Sequence, residues 1–107
     1  MKDNMRTTLQ WLAVIGVVVS TVPARADYDL VVKKNCLACH QVDKRKYGPN
    51  FKEIAAKYAD QKNAADVLAK KIRRGGTGVW GQDVMPPQPQ VSVQEARTIA
   101  AYVLSLK

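Results

Sequence analysis

Both cysteines and the only histidine of the chain stand together at Cys36-Leu37-Ala38-Cys39-His40. Two thiols three residues apart on one tight turn can each add to one of the two vinyl groups along a haem edge. The adjoining imidazole is then held under the ring, facing the iron. The C-x-x-C-H pattern therefore reads as a c-type haem attachment site, with Cys36 and Cys39 as thioethers and His40 as proximal ligand. Other chemistries fit less well. A thioredoxin-like redox pair needs a preceding strand and a βαβ setting, and the flanking residues suggest neither. A structural zinc site wants four Cys or His ligands, and the chain has two Cys and one His.

With a single histidine, ligation of iron by two imidazoles is excluded, and the sixth position falls to Met, another residue, water or nothing. Of the three methionines, Met1 and Met5 lie at the extreme N-terminus. Met85 remains, in Val84-Met85-Pro86-Pro87, where two prolines fix φ and stiffen the segment. That setting suits a thioether held against iron by its own backbone. A methionine filling a gap in the core is the plainer alternative.

These residues need an export route and a scaffold. The chain opens with Lys2 and Arg6, passes through twelve mostly apolar residues from Trp11 to Val22, and reaches Ala24-Arg25-Ala26. A basic start, an apolar centre and a small-x-small site form the pattern of a secretory signal peptide. The apolar centre is shorter than the roughly 20 residues a spanning helix needs. Residues 1–26 are therefore expected to be a cleaved leader that sends the protein to the periplasm, with a retained anchor as the alternative. What remains, 27–107, is one domain of 81 residues with 14 Lys plus Arg and 8 Asp plus Glu, a formal charge of +6. An apolar core is marginal at that size. A covalently held macrocycle would complete it, so the apoprotein is expected to fold poorly. The basic balance points to acidic partners. No basic helix with base-stacking aromatics is present, so nucleic acid is not expected.

The elements read as helices throughout. Acidic residues precede and basic ones follow Leu30-Val31-Val32, predicting a short N-terminal helix that ends near Cys39. Gly48-Pro49 marks a loop. Pro49 has a carbonyl and no N–H, which makes it a fitting acceptor for the second ring N–H of His40. Phe51, Ile54, Ala55 and Tyr58 share a helical face. Asn63 is placed to cap a helix from Ala64 to Arg74, with Gly75 just past its end. Lys71 lies on the apolar face of that helix beside Leu68 and Ile72. Its ammonium either meets a buried propionate or belongs to a solvated face. Four glycines within 75–81 surround Trp80, whose indole N–H is a candidate donor to a propionate and whose ring would wall the pocket. Ser92-Val93-Gln94-Glu95 is a capping box opening a helix through Leu106. Small Ala96 and Ala100 on its apolar face allow another helix, expected to be the N-terminal one, to cross closely.

Taken together, Cys36-Leu37-Ala38-Cys39-His40, Gly48-Pro49, Gly78-Val79-Trp80-Gly81, Val84-Met85-Pro86-Pro87 and the closing Tyr102-Val103-Leu104-Ser105-Leu106 resemble the small bacterial class I monohaem cytochromes c of the c-551/c-552 type. The resemblance spans 28–107. It implies an all-α class I cytochrome c fold, four to five short helices wrapped around one covalently bound haem c and its iron. It further implies His40 and Met85 as axial ligands, the Pro49 carbonyl on the imidazole, and Trp80 near a propionate. Lys71 departs from the Arg that relatives often place at a propionate, which replaces a planar fork by a point charge. Gln88 stands where relatives often carry Asn.

The expected function is a periplasmic electron carrier rather than an enzyme. Its expected partners are redox proteins with acidic docking surfaces, such as a membrane oxidoreductase, a terminal oxidase or a periplasmic reductase. It is expected to be a monomer that meets membranes only through those partners. The alternative is a haem enzyme or gas-binding module with an exchangeable distal ligand. That chemistry calls for a polar distal group, and no second histidine is present to supply one.

Overall fold

The computed structural model describes residues 13–18 and 24–107. The leader expected at 1–26 therefore lies mostly outside the described residues. Four α-helices make up the described fold: α1 Ala24–Lys33, α2 Phe51–Tyr58, α3 Ala64–Arg74 and α4 Val93–Ser105, with a 3-10 turn at Cys36–Ala38. The all-α expectation holds. The described residues form no sheet, and their one extended pairing is an isolated antiparallel bridge between Gly76 and Met85. None of the described helices is long and apolar enough to cross a membrane.

Local chemistry explains the boundaries. In α1, Asp27 in the first turn and Lys33 in the last complement the helix dipole. The α-helix does not run on to Cys39, as the sequence suggested. It ends at Lys33 because Asn35 adopts a left-handed conformation, φ 64, which an Asn tolerates better than most residues. The tighter turn that follows carries both cysteines. Helix α2 is opened by a capping box, in which Asn50 Oδ1 accepts from Glu53 N at 2.7 Å and Asn50 N donates to Glu53 Oε2 at 3.1 Å.

Helix α3 has its expected span with Asn63 at its N-cap position, but the Asn63 side chain makes no capping hydrogen bond. The Asn63 side chain accepts from Gln61 Nε2 at 3.0 Å instead. At the other end Gly75, φ 71, donates its N–H to the Lys71 carbonyl at 2.8 Å. The capping box expected for α4 is present, with Glu95 N to Ser92 Oγ at 3.1 Å and Ser92 N to Glu95 Oε1 at 3.0 Å. The helix stops at Ser105, because Leu106 is extended.

Helix α4 is the common wall, packing against α1, α2 and α3. Its Ala96 and Ala100 are fully buried together with Val31 of α1 and Val91, so small side chains face the crossings as expected. A polar clasp joins α1 to α4. Lys34 Nζ lies 3.0 Å from Glu95 Oε2 and donates to the Gln90 carbonyl at 3.2 Å, which pins the end of α1 to the start of α4.

The Glu95 carboxyl is held below its usual pKa, first by the Ser92 backbone N–H and then by its hydrogen bond from Lys34. A carboxyl lowered in this way stabilises the fold above the ordinary glutamate range, and the contribution fades as pH falls through the lowered value. Glu95→Gln should therefore lower the denaturation midpoint of the haem-loaded protein at neutral pH, with the two proteins' midpoints converging in acid.

Candidate functional site

The 3-10 turn sets Cys36 and Cys39 on the edge of a cleft of about 450 Å³. His40, Pro49, Lys71, Trp80 and Met85 line the same cleft. All the residues singled out in the sequence thus come to one place. Burial pushes the Cys36 thiol up. Among the described residues, no group of three or more His, Cys, Asp or Glu could hold a metal ion, which leaves a zinc site without ligands there.

His40 is the most constrained member of the site. Its Nδ1 lies 2.8 Å from the Pro49 carbonyl oxygen. A proline carbonyl only accepts, so Nδ1 must carry the proton and Nε2 is the nitrogen left to coordinate. The ring stacks on Phe51, with centroids 5.6 Å apart and planes 26° from parallel. Gly48 N donates to the Cys39 carbonyl at 2.9 Å, and Phe51 N to that of Gln41 at 2.9 Å. These bonds fold the 41–49 loop back over the attachment turn. A Cβ on Gly48 would sit 2.5 Å from His40 Cε1, so only glycine lets the loop approach the imidazole this closely.

Met85 is braced differently. Its N–H donates to the Gly76 carbonyl at 2.8 Å, and its own carbonyl accepts from Gly76 N at 3.0 Å. A side chain on Gly75 would collide with the Met85 carbonyl oxygen, and φ there is already in the region that favours glycine. Gln88 N bonds the Ile72 carbonyl at 3.2 Å, which ties the proline segment to α3. The Gln88 amide donates to Pro86 O at 3.0 Å and accepts from Gln90 at 2.6 Å. It is thus spent within its own loop.

Trp80 is half-buried at the cleft edge and is held by two cations from other segments. Arg45 donates to the Trp80 carbonyl at 3.2 Å, and Lys57 Nζ lies 5.2 Å from the centre of its ring. Arg45 comes from the 41–49 loop and Lys57 from α2. Both contacts join segments far apart in the chain, so no local pattern announces them. Lys71 is half-buried and lines the cleft. It makes no ion pair with a carboxylate among the described residues.

The donor set suits one haem: two cysteines on one turn, an imidazole of fixed tautomer, a thioether, and a cleft walled by Phe51, Tyr58, Leu68, Ile99 and Val103. Fold and site together define a small helical haem protein of the c type. A family model described as cytochrome c matches residues 28–107. Among curated proteins the chain is similar to cytochrome c-552 of Nitrosomonas europaea, 54% identical over 84 residues, 78% of this chain and 82% of that protein. It is also similar to cytochrome c-551 of Azotobacter vinelandii, 52% identical over 79 residues, 74% of this chain and 95% of that protein. The crystal structure of wild-type Nitrosomonas europaea cytochrome c552 matches with a TM-score of 0.74 at 52% identity, covering 75% of this chain and 99% of that one.

The chain belongs to the cytochrome c family. It is a small c-type cytochrome of class I fold, an electron-transfer protein and not an enzyme, in a family whose members carry covalently attached haem c with its iron. Electron transfer implies redox proteins as partners.

The tight approach at Gly48 yields a test. Gly48→Ala should displace the imidazole or the 41–49 loop and cost about 1–3 kcal/mol, the range for overpacked interiors. Denaturation of the haem-loaded variant against the parent measures it.

Proposed function

We propose that this cytochrome is a periplasmic single-electron carrier with His40 Nε2 and the Met85 sulfur as the two axial ligands. The observation that carries the reading is the His40–Pro49 hydrogen bond at 2.8 Å, which leaves one ring nitrogen free, on a cleft that Met85 also lines. Haem iron, when bound, supplies a reversible one-electron couple. The chain's own residues then do the following. Cys36 and Cys39 anchor the macrocycle, and the Pro49 carbonyl fixes the ring of His40 and raises its basicity. A Met ligand raises the potential, and the bridge to Gly76 holds it in place. Lys71 and Trp80 offer their N–H groups to propionates at the cleft edge. With both ligands fixed from the backbone, little rearranges between oxidation states.

The leader pattern of 1–26 supports export to the periplasm. Lys33, Lys44, Arg45 and Lys46 are all exposed around the attachment turn, which supports docking of acidic redox partners there. Because such steering is screened by salt, the bimolecular rate with an acidic redox partner should fall as ionic strength rises. A flat profile removes the steering.

The optical spectrum of the exported protein, oxidised and then reduced, tests the ligand set directly. A c-type haem spectrum with the weak far-red band of Met-to-ferric-iron ligation is expected. Met85→Ala should lose that band and bind carbon monoxide far more readily than the parent. Equal binding by both would instead favour an exchangeable distal site.

A further inference from the structure

Lys70, Arg73 and Arg74 of α3 and Arg97 of α4 surround a second hollow of about 320 Å³, which Ala69 and the half-exposed Val93 also line. It shares no residue with the haem cleft. Helical spacing explains the separation. Positions 66, 70 and 73 run along one stripe of α3, while Leu68, Lys71 and Ile72, which line the cleft, run along the opposite one. Arg73 Nε donates to the Val91 carbonyl at 3.2 Å, which orients its guanidinium and leaves the terminal nitrogens available. The one acid of the hollow, Asp66, lies 3.9 Å from Arg97, with both side chains about two-thirds exposed, a pairing of little strength.

The distribution of charge gives this hollow its meaning. Within 27–107, four cations and one carboxylate here make +3, and Lys33, Lys44, Arg45 and Lys46 with Asp43 make another +3. The six remaining cations and six remaining carboxylates cancel. The whole formal excess of +6 therefore divides equally between a cluster near the attachment turn and one on the far side of α3. An acidic redox partner steered by charge alone would meet the far cluster as readily as the near one, unless the far cluster has an occupant of its own.

We propose that the hollow between α3 and α4 binds an extended acidic segment of a protein partner. Guanidinium forks pair with carboxylates bidentately, and three arginines with one lysine present such donors around a concave surface. A recess admits a peptide's side chains more readily than a flat array of lipid headgroups. Ala69 and Val93 provide apolar contact between the charges. A partner held there keeps the haem edge free and at high local concentration. The inference rests on the electron-carrier reading for its purpose, though not for the binding itself.

The test titrates the isotope-labelled, haem-loaded protein, as exported, with a short polyglutamate peptide at low ionic strength and follows the backbone amides by NMR. The largest shifts should fall within 66–74 and 93–97. Lys70→Gln with Arg74→Gln should weaken binding about tenfold, whereas Lys52→Gln with Lys62→Gln, the same change in net charge, should alter it less than about threefold. Shifts centred on 44–46, or equal weakening in both variants, overturn the proposal. So does a peptide without effect where phosphatidylglycerol vesicles move the 66–74 amides, since the surface would then be one for lipid. The far-red band recorded on the same samples judges the ligand reading separately. Its absence beside intact shifts would fail that reading and leave the groove standing.

Discussion

A proline carbonyl 2.8 Å from Nδ1 of His40 decides what the chain's only imidazole can do. It fixes the tautomer, and leaves Nε2 as the ring nitrogen without a proton. Much of the surrounding structure serves that contact. Gly48 lets the loop come close, Asn50 and Glu53 start α2 directly after Pro49, and Phe51, the first residue of α2, stacks on the ring. A turn, a capping box and an aromatic face are consecutive in sequence because the carbonyl has to arrive at one point. The Met85 side is built on another plan, with a short backbone bridge and stiff prolines in place of side-chain packing.

The cleft is also what the core is missing. Phe51, Tyr58, Leu68, Ile99, Ala100 and Val103 belong to the buried cluster and at the same time wall the cleft. In a domain of this size few other apolar groups are available to build a core. The same side chains thus serve the core and the cleft at once. Helix α4 carries three of the six, which is why its capping box and the Lys34–Glu95 pair matter to the site although they lie outside it.

The sequence disclosed the parts that depend on near neighbours. The attachment turn, the capping box at Ser92, the spans of α2 and α3 and the all-α fold all follow from spacing within a few residues. One capping bond and one boundary misled for local reasons. Asn63 is a good cap by type, yet Gln61 beside it claims the side-chain oxygen. A charge pattern that suits a helix as far as Cys39 is interrupted by the left-handed Asn35, because the two thiols need a tighter turn than an α-helix gives. The braces on Trp80 could not be read at all. Arg45 and Lys57 come from segments whose nearness to Trp80 exists only in the fold, and neither side chain carries a pattern of its own.

Arg45 belongs to two structures at once. It is one of the exposed cations beside the attachment turn, and its guanidinium also holds the Trp80 carbonyl across the cleft. In evolutionary terms the position is pleiotropic. Lys44 and Lys46 can change with the surface alone, but a change at Arg45 also loosens a strut of the loop that carries Met85. Substitution is therefore freer at its neighbours, and this part of the surface is less independent of the interior than an exposed loop would suggest.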